Sequence, residues 1–218
     1  MKVDVVRNIL EANDAVAAEL NAGFTAKGIL ALNLMSSPGS GKTTLLERTL
    51  TDLKHEFSMA VIEGDCQTEN DARRVAATGA QAIQINTDEG CHLDSAMVRE
   101  ACAKLKLDEV DILVIENVGN LVCPAEFSVG EDYKVTILSV TEGDDKPEKY
   151  PFIFAESQVM ILNKIDLLPY VNFSVERASS FACAVNPAIQ IFPLSATTGQ
   201  GMGAWYAWLR TERDKKRR

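Results

Sequence analysis

The most chemically explicit stretch of this sequence is Ser36-Ser37-Pro38-Gly39-Ser40-Gly41-Lys42-Thr43-Thr44, which follows an apolar run and opens a helical one. That is the setting of a phosphate-binding loop. Gly39, Ser40 and Gly41 let backbone N–H groups curl around an oxygen-rich anion. Lys42 can reach the β- and γ-phosphates, and the Thr43 hydroxyl can ligate Mg²⁺. With Thr44, the helix start adds its partial positive charge. The usual pattern begins with Gly, but Ser36 stands there, so the backbone at that position must suit a residue with a Cβ.

A second motif, Asn163-Lys164-Ile165-Asp166, follows another apolar run. The Asp166 carboxylate can accept from guanine N1–H and the exocyclic amine together, whereas adenine would face it with a lone pair. Such mismatches discriminate by as much as ~10⁴-fold. Asn163 can contact the purine's other edge, and the Lys164 stem can lie against the ring. Downstream, Ser195-Ala196 offers backbone N–H groups to guanine O6. The third motif runs Val114-Ile115-Glu116-Asn117-Val118-Gly119. Glu116 at a strand end can hold Mg²⁺ through water, and the Gly119 N–H can sense a γ-phosphate. Asp65, in Glu63-Gly64-Asp65, can supply a further Mg²⁺-shell or water-orienting carboxylate, or merely cap a turn. No arginine finger or water-positioning Gln stands out, so intrinsic hydrolysis is expected to be slow.

Metal chemistry centres on Cys91-His92 and Cys123. Two thiolates and an imidazole suit Zn²⁺ or Ni²⁺ and leave the shell incomplete. The site is therefore exchangeable or completed by a second subunit. The spacing is not a paired C-x-x-C pattern, so unliganded thiols fit it as well. Cys66 can join the site in one nucleotide state. Cys102 and Cys183 read as small buried apolar residues.

The elements needed to position these groups are legible from periodicity. Apolar runs at Ile29–Met35, Ala60–Ile62, Gln81–Ile85, Ile112–Ile115, Val135–Val140, Val159–Leu162 and Ile189–Phe192 predict seven strands. Helical stretches are Thr44–Leu53, Asp71–Ala77, Ser95–Lys106, Val175–Ala184 and Gly203–Arg213. The alternation predicts an α/β fold, a mostly parallel sheet with helices on both faces and ligands at the strands' carboxyl ends. Residues 1–218 are expected to form one nucleotide-binding domain, opened by an amphipathic helix over about 1–22. Trp205 and Trp208 read as core, Thr141–Tyr150 as a mobile loop, and the basic end from Arg210 to Arg218 as a frayed tail.

Composition excludes other classes. The chain has 218 residues, 22 basic and 31 acidic, for a net charge of −9. A nucleic-acid binder needs a cationic face, so none is expected as partner. The N-terminus lacks the uninterrupted apolar core of a signal peptide, and no window approaches a membrane span. The five cysteines are scattered and odd in number, which predicts reduced thiols in the cytoplasm.

The stretches Asn33–Leu46, Glu63–Asp71, Gly90–Asp94, Glu116–Glu131 and Asn163–Asp166 resemble the hydrogenase and urease nickel-insertion GTPases, the HypB/UreG family of SIMIBI-class P-loop GTPases. Gly90-Cys91-His92-Leu93-Asp94 and Asn120-Leu121-Val122-Cys123-Pro124 resemble its hydrogenase branch in particular. The resemblance implies a metallochaperone that binds GTP, GDP and Mg²⁺ and helps insert nickel into the large subunit of [NiFe]-hydrogenase. It further implies a homodimer, the accessory nickel/zinc protein HypA as partner, and Cys91, His92 and Cys123 as ligands for Ni²⁺ or Zn²⁺. The Cys-rich or His-rich N-terminal stretch of some members is not found here. Its only other histidine is His55, so nickel storage is not expected. Competing readings are a urease-directed nickel GTPase, a P-loop small-molecule kinase, and a passive metal-binding module.

Overall fold

The computed structural model describes residues 2–65, 74–87 and 90–217, with backbone alone at 2–8 and at 65. Seven parallel strands form one sheet in the order β3-β2-β4-β1-β5-β6-β7. They are β1 (Leu30–Ser36), β2 (Met59–Asp65), β3 (Gln81–Asn86), β4 (Ile112–Gly119), β5 (Tyr133–Ser139), β6 (Val159–Asn163) and β7 (Gln190–Pro193). Each predicted strand is present. Parallel strands are covered on both faces, so they read as continuous apolar runs; every residue of β1 is buried.

Alternate residues divide the core between the faces. Leu30, Leu32 and Leu34 of β1 meet Leu45, Leu46 and Leu50 of helix α2 (Lys42–Leu53) and Trp205 and Trp208 of the C-terminal helix Met202–Lys216. The two indoles stack at 5.1 Å, as core residues. Burying one such side chain stabilises by roughly 1.5–3 kcal/mol. On the opposite face Ala31, Ala60, Ile62, Leu113 and Ile115 pack on Phe24 of helix α1 (Lys2–Ala26) and on Val98 and Ala101 of helix α3 (Ser95–Cys102). A third cluster covers β5 and β6 with Ile153, Phe154, Ala178 and Ala182.

Helix α1 runs to Ala26, four residues past the predicted end, because its last turns pack on the sheet through the buried Phe24. Asn13 anchors it earlier: its Nδ2 donates to Ser128 O at 2.9 Å and its Oδ1 accepts from Ser95 N at 2.9 Å. The basic end is not a frayed tail. It is helical to Lys216, with Arg210 on Glu56, Arg213 and Arg217 on Asp111, and Lys216 on Asp132. The 141–150 segment contains a helical turn, Lys146–Lys149, and its Asp144 is buried and paired with Arg177, so it is held rather than loose. Cys183 is exposed, not buried, because its helix Val175–Val185 turns Ala178 and Ala182 to the core. Cys102 is buried, which pushes its thiol up to about 11. Of the predicted helix 71–77, residues 74–76 are helical and Ala77 lies in the turn that follows; Cys66 lies outside the described residues. Among those residues no helix is long and apolar enough to cross a membrane.

Candidate nucleotide site and metal cluster

The chain turns from β1 into α2 at the middle of the sheet, between β4 and β5, where crossovers leave in opposite directions. Ligands of doubly wound sheets sit outside the strand ends at such a switch point. A cleft of about 510 Å³ lies here, lined by residues of the 38–44 loop, β2, β4, Arg74 and Lys164. Gly39 and Gly41 have φ of 74° and 97°, the left-handed region that glycine tolerates. At Gly41 space matters too: a Cβ would lie 2.5 Å from Asn163 Nδ2.

Ser36 occupies the place of the customary glycine without strain, because it is still the last residue of β1. Its buried hydroxyl accepts from Lys42 Nζ at 2.9 Å and from Ser40 Oγ at 2.5 Å. Thr43 Oγ1 donates to Glu116 Oε1 at 2.8 Å, bringing two oxygen ligands of hard cations together from separate elements. Glu63, 2% exposed, lies in register with Glu116 on the neighbouring strand and lines the same cleft. Sequence reading singled out Asp65 two residues on, at the same parity; Asp65's side chain lies outside the described residues. Arg74, also missed, reaches Glu47 at 2.6 Å and Thr44 Oγ1 at 3.4 Å across the cleft mouth. No motif marks it; only the fold brings it to the P-loop helix. Gly119 abuts the loop so closely that a Cβ would sit 3.0 Å from Pro38 Cα.

The loops at 163–166 and 195–196 are stitched to the 36–44 loop through Asn163 and Lys164. Asn163 Nδ2 donates to Ser40 O at 3.0 Å, and its Oδ1 accepts from Lys164 N at 2.8 Å and Ala196 N at 3.1 Å. Lys164, at φ 64°, donates from Nζ to Gly39 O at 2.7 Å. Asn163 is 1% exposed and braces three loops, a role beyond the purine-edge contact expected of it. Ser195 N donates to Gln200 O at 2.8 Å and Ala196 N to Asn163 Oδ1 at 3.1 Å, so both N–H groups have partners within the chain. Asp166 differs. Its Oδ1 is buried with no hydrogen-bond partner among the described residues.

Cys91, His92 and Cys123 do come together, their ligand atoms all within 4.8 Å of one another. Two short devices build this cluster. Gly90 N donates to Thr87 O at 2.7 Å, and Thr87 Oγ1 to Gly90 O at 3.0 Å, closing the turn before Cys91. Asp94 then caps α3 through Met97 N at 2.8 Å. Cys123 opens the helix Cys123–Glu126, just beyond Gly119. His92 stacks on Phe127 at 4.0 Å. Burial pushes its pKa down against the pull of Asp94 and Glu126, favouring the neutral imidazole that binds metals.

Comparison with known proteins follows the same lines. The nucleotide-binding domain described as CobW/HypB/UreG matches residues 30–193. Hydrogenase maturation factor HypB of Escherichia coli (strain K12) is 56% identical over 211 residues, covering 97% of this chain and 73% of that protein. The structure of Helicobacter pylori HypB in complex with nickel superposes with a TM-score of 0.89 at 40% identity, covering 94% of this chain and 96% of that one. HypB from Archaeoglobus fulgidus gives 0.87 at 37% identity, covering 93% and 99%. With its matched domain and its relatives in agreement, this chain belongs to the CobW/HypB/UreG family of nucleotide-binding proteins.

Proposed function

We propose that this chain is a GTP-hydrolysing metallochaperone that binds nickel and assists its insertion into [NiFe]-hydrogenase. One observation carries the reading: Cys123, which meets Cys91 and His92 in one cluster, lies a few residues beyond the strand end that bears Glu116 and Gly119. Helicobacter pylori HypB, which shares the fold, forms a complex with nickel, and the two thiolates and imidazole suit nickel or zinc. The Asp166 carboxylate supports guanine, whose N1–H and exocyclic amine are donors that adenine lacks at those positions.

In hydrolysis, water attacks the γ-phosphorus, the bond to the bridging oxygen breaks, and GDP and phosphate leave. Lys42 moves from Ser36 to the phosphates and neutralises charge developing there. The Gly119 N–H binds a γ-phosphate oxygen, and the helix start at Lys42 holds the β-phosphate. Thr43 and Glu116 fit Mg²⁺, since both offer oxygen to one point; the ion would neutralise β- and γ-oxygens. Glu63, buried on the cleft beside Glu116, is the carboxylate proposed to orient water, and Asp65 is proposed for the same role on sequence grounds alone. Nickel is cargo. Each chain brings three ligands, so a second copy or solvent completes the shell, consistent with a homodimer. The accessory protein HypA and the hydrogenase large subunit are the proposed partners in a cytoplasmic pathway.

The test combines hydrolysis and nickel titration. Lys42→Ala is expected to abolish GTP hydrolysis while still binding nickel in the absence of nucleotide. Cys123→Ala is expected to lose most nickel affinity while hydrolysing GTP. Hydrolysis seen only with an added acceptor would identify a kinase instead. Unchanged nickel affinity in Cys123→Ala would sink the ligand assignment.

A further inference from the structure

β4 does not run straight from Glu116 to Gly119. Leu34 pairs with Glu116, but Ser36 pairs with Gly119, so three steps on β4 oppose two on β1. Such bulges re-aim side chains. The re-aimed residue is Asn117, 1% exposed. Its Oδ1 accepts from Leu93 N at 3.0 Å and from Val118 N at 3.0 Å, while its Nδ2 donates to Asn33 Oδ1 at 3.2 Å. Leu93 directly follows His92. On the other side of Gly119, Asn120 Nδ2 donates to Cys91 O at 3.3 Å, and its Oδ1 accepts from Val122 N at 2.8 Å, next to Cys123.

We propose that Asn117 and Asn120 are positioning residues that carry the state of the nucleotide from Gly119 to the Cys91–His92–Cys123 site. This rests on the reading above, that the cleft takes GTP and the cluster takes nickel. The two amides flank the γ-phosphate sensor and grip the metal loop at Cys91 and Leu93, while Asn120 also holds Val122 beside Cys123. Movement of Gly119 toward a γ-phosphate therefore displaces all three ligands' backbones together. A buried strand could satisfy its bulge with its own backbone or water; instead Asn117 spends a side-chain bond on a segment 24 residues away. Removing the acceptor leaves the buried Leu93 N–H unpaired, which frees the loop from the strand end. Linkage requires the effect in both directions, nickel on nucleotide as well as nucleotide on nickel.

The experiment is equilibrium titration of nickel with GDP and with a non-hydrolysable GTP analogue, in wild type, Asn117→Ala, Asn120→Ala and the double variant. The wild type is expected to show a ratio of affinities between the two states of about 5- to 150-fold, the ordinary range of such couplings. Each single variant lowers that ratio, and the double variant brings it close to one. A merely structural role would weaken nickel equally in both nucleotide states and leave the ratio unchanged, which overturns the proposal. Asn120 is partly exposed, so its variant keeps the test open if Asn117→Ala folds poorly. A wild-type ratio of one also overturns it, while leaving nickel binding itself intact. Failure of the ligand assignment shows separately, as Cys123→Ala retaining wild-type nickel affinity.

Discussion

Asp166 and Asn163 share one tetrapeptide yet face different tasks. Asn163 spends its amide on Ser40, Lys164 and Ala196, holding the phosphate loop and the base-reading loops at one spacing. Asp166 keeps a buried oxygen without a partner among the described residues. A carboxylate accepts from a base that offers two donors and is left facing a lone pair by one that does not. Asp166→Asn is therefore expected to lose GTP preference and gain affinity for xanthine nucleotides, whose C2 carbonyl accepts from the new amide. Competition among GTP, XTP and ATP checks this, and equal binding of ATP by the wild type contradicts it. Asp166 stands out in the sequence because base recognition depends on residue type; the bracing by Asn163 does not, because its partners come from two distant loops.

At the scale of elements, the turn from Thr87 to Asp94 depends on one side chain reaching the sheet. Leu93 is fully buried beside Gly64 of β2, where an added Cβ would lie 2.8 Å from Leu93 Cγ. Strand and loop thus interlock through the absence of a side chain on one and a large one on the other. Leu93→Ala is expected to cost about 2–5 kcal/mol of stability and to weaken nickel binding, because His92 loses its neighbour's anchor. Leu162→Ala, in β6 and equally buried, should cost similar stability with no comparable effect on nickel. Urea midpoints and nickel titrations of both variants check the pair; equal nickel losses would contradict the argument.

Over the whole molecule, the C-terminal helix ties distant parts together through Asp111, which starts the turn into β4. Burial pushes the Asp111 pKa up, but the Ser58 N–H at 2.9 Å and the Arg213 and Arg217 guanidiniums overcome it and leave it below the ordinary 3.8. A folded-state value below the unfolded one stabilises above the unfolded pKa, and that share is lost as pH falls through the folded value. The contribution is therefore whole at neutral pH and disappears in the acid range below about 3.8. Asp111→Asn is expected to be less stable than wild type at pH 7, with the gap narrowing below pH 4, roughly where free carboxylates titrate. Urea midpoints across that range check it; a gap that stays constant would contradict the linkage.

The sequence by itself determined what depends on residue type and local phase. Strands covered on both faces are apolar throughout, so all seven were visible, and the phosphate loop, the base-reading Asp and the Cys–His pair declare their chemistry in short spans. Tertiary structure alone decided which of these groups meet. It placed Glu63 and Arg74 on the nucleotide cleft, and Cys123 within reach of Cys91 and His92. It folded the basic end down onto Asp111, 102 residues earlier, and turned Asn117 to grip Leu93. Each of these rests on contacts between segments far apart in the chain. Periodicity reports which face of its own element a residue occupies, and carries no information about what another element brings to that face.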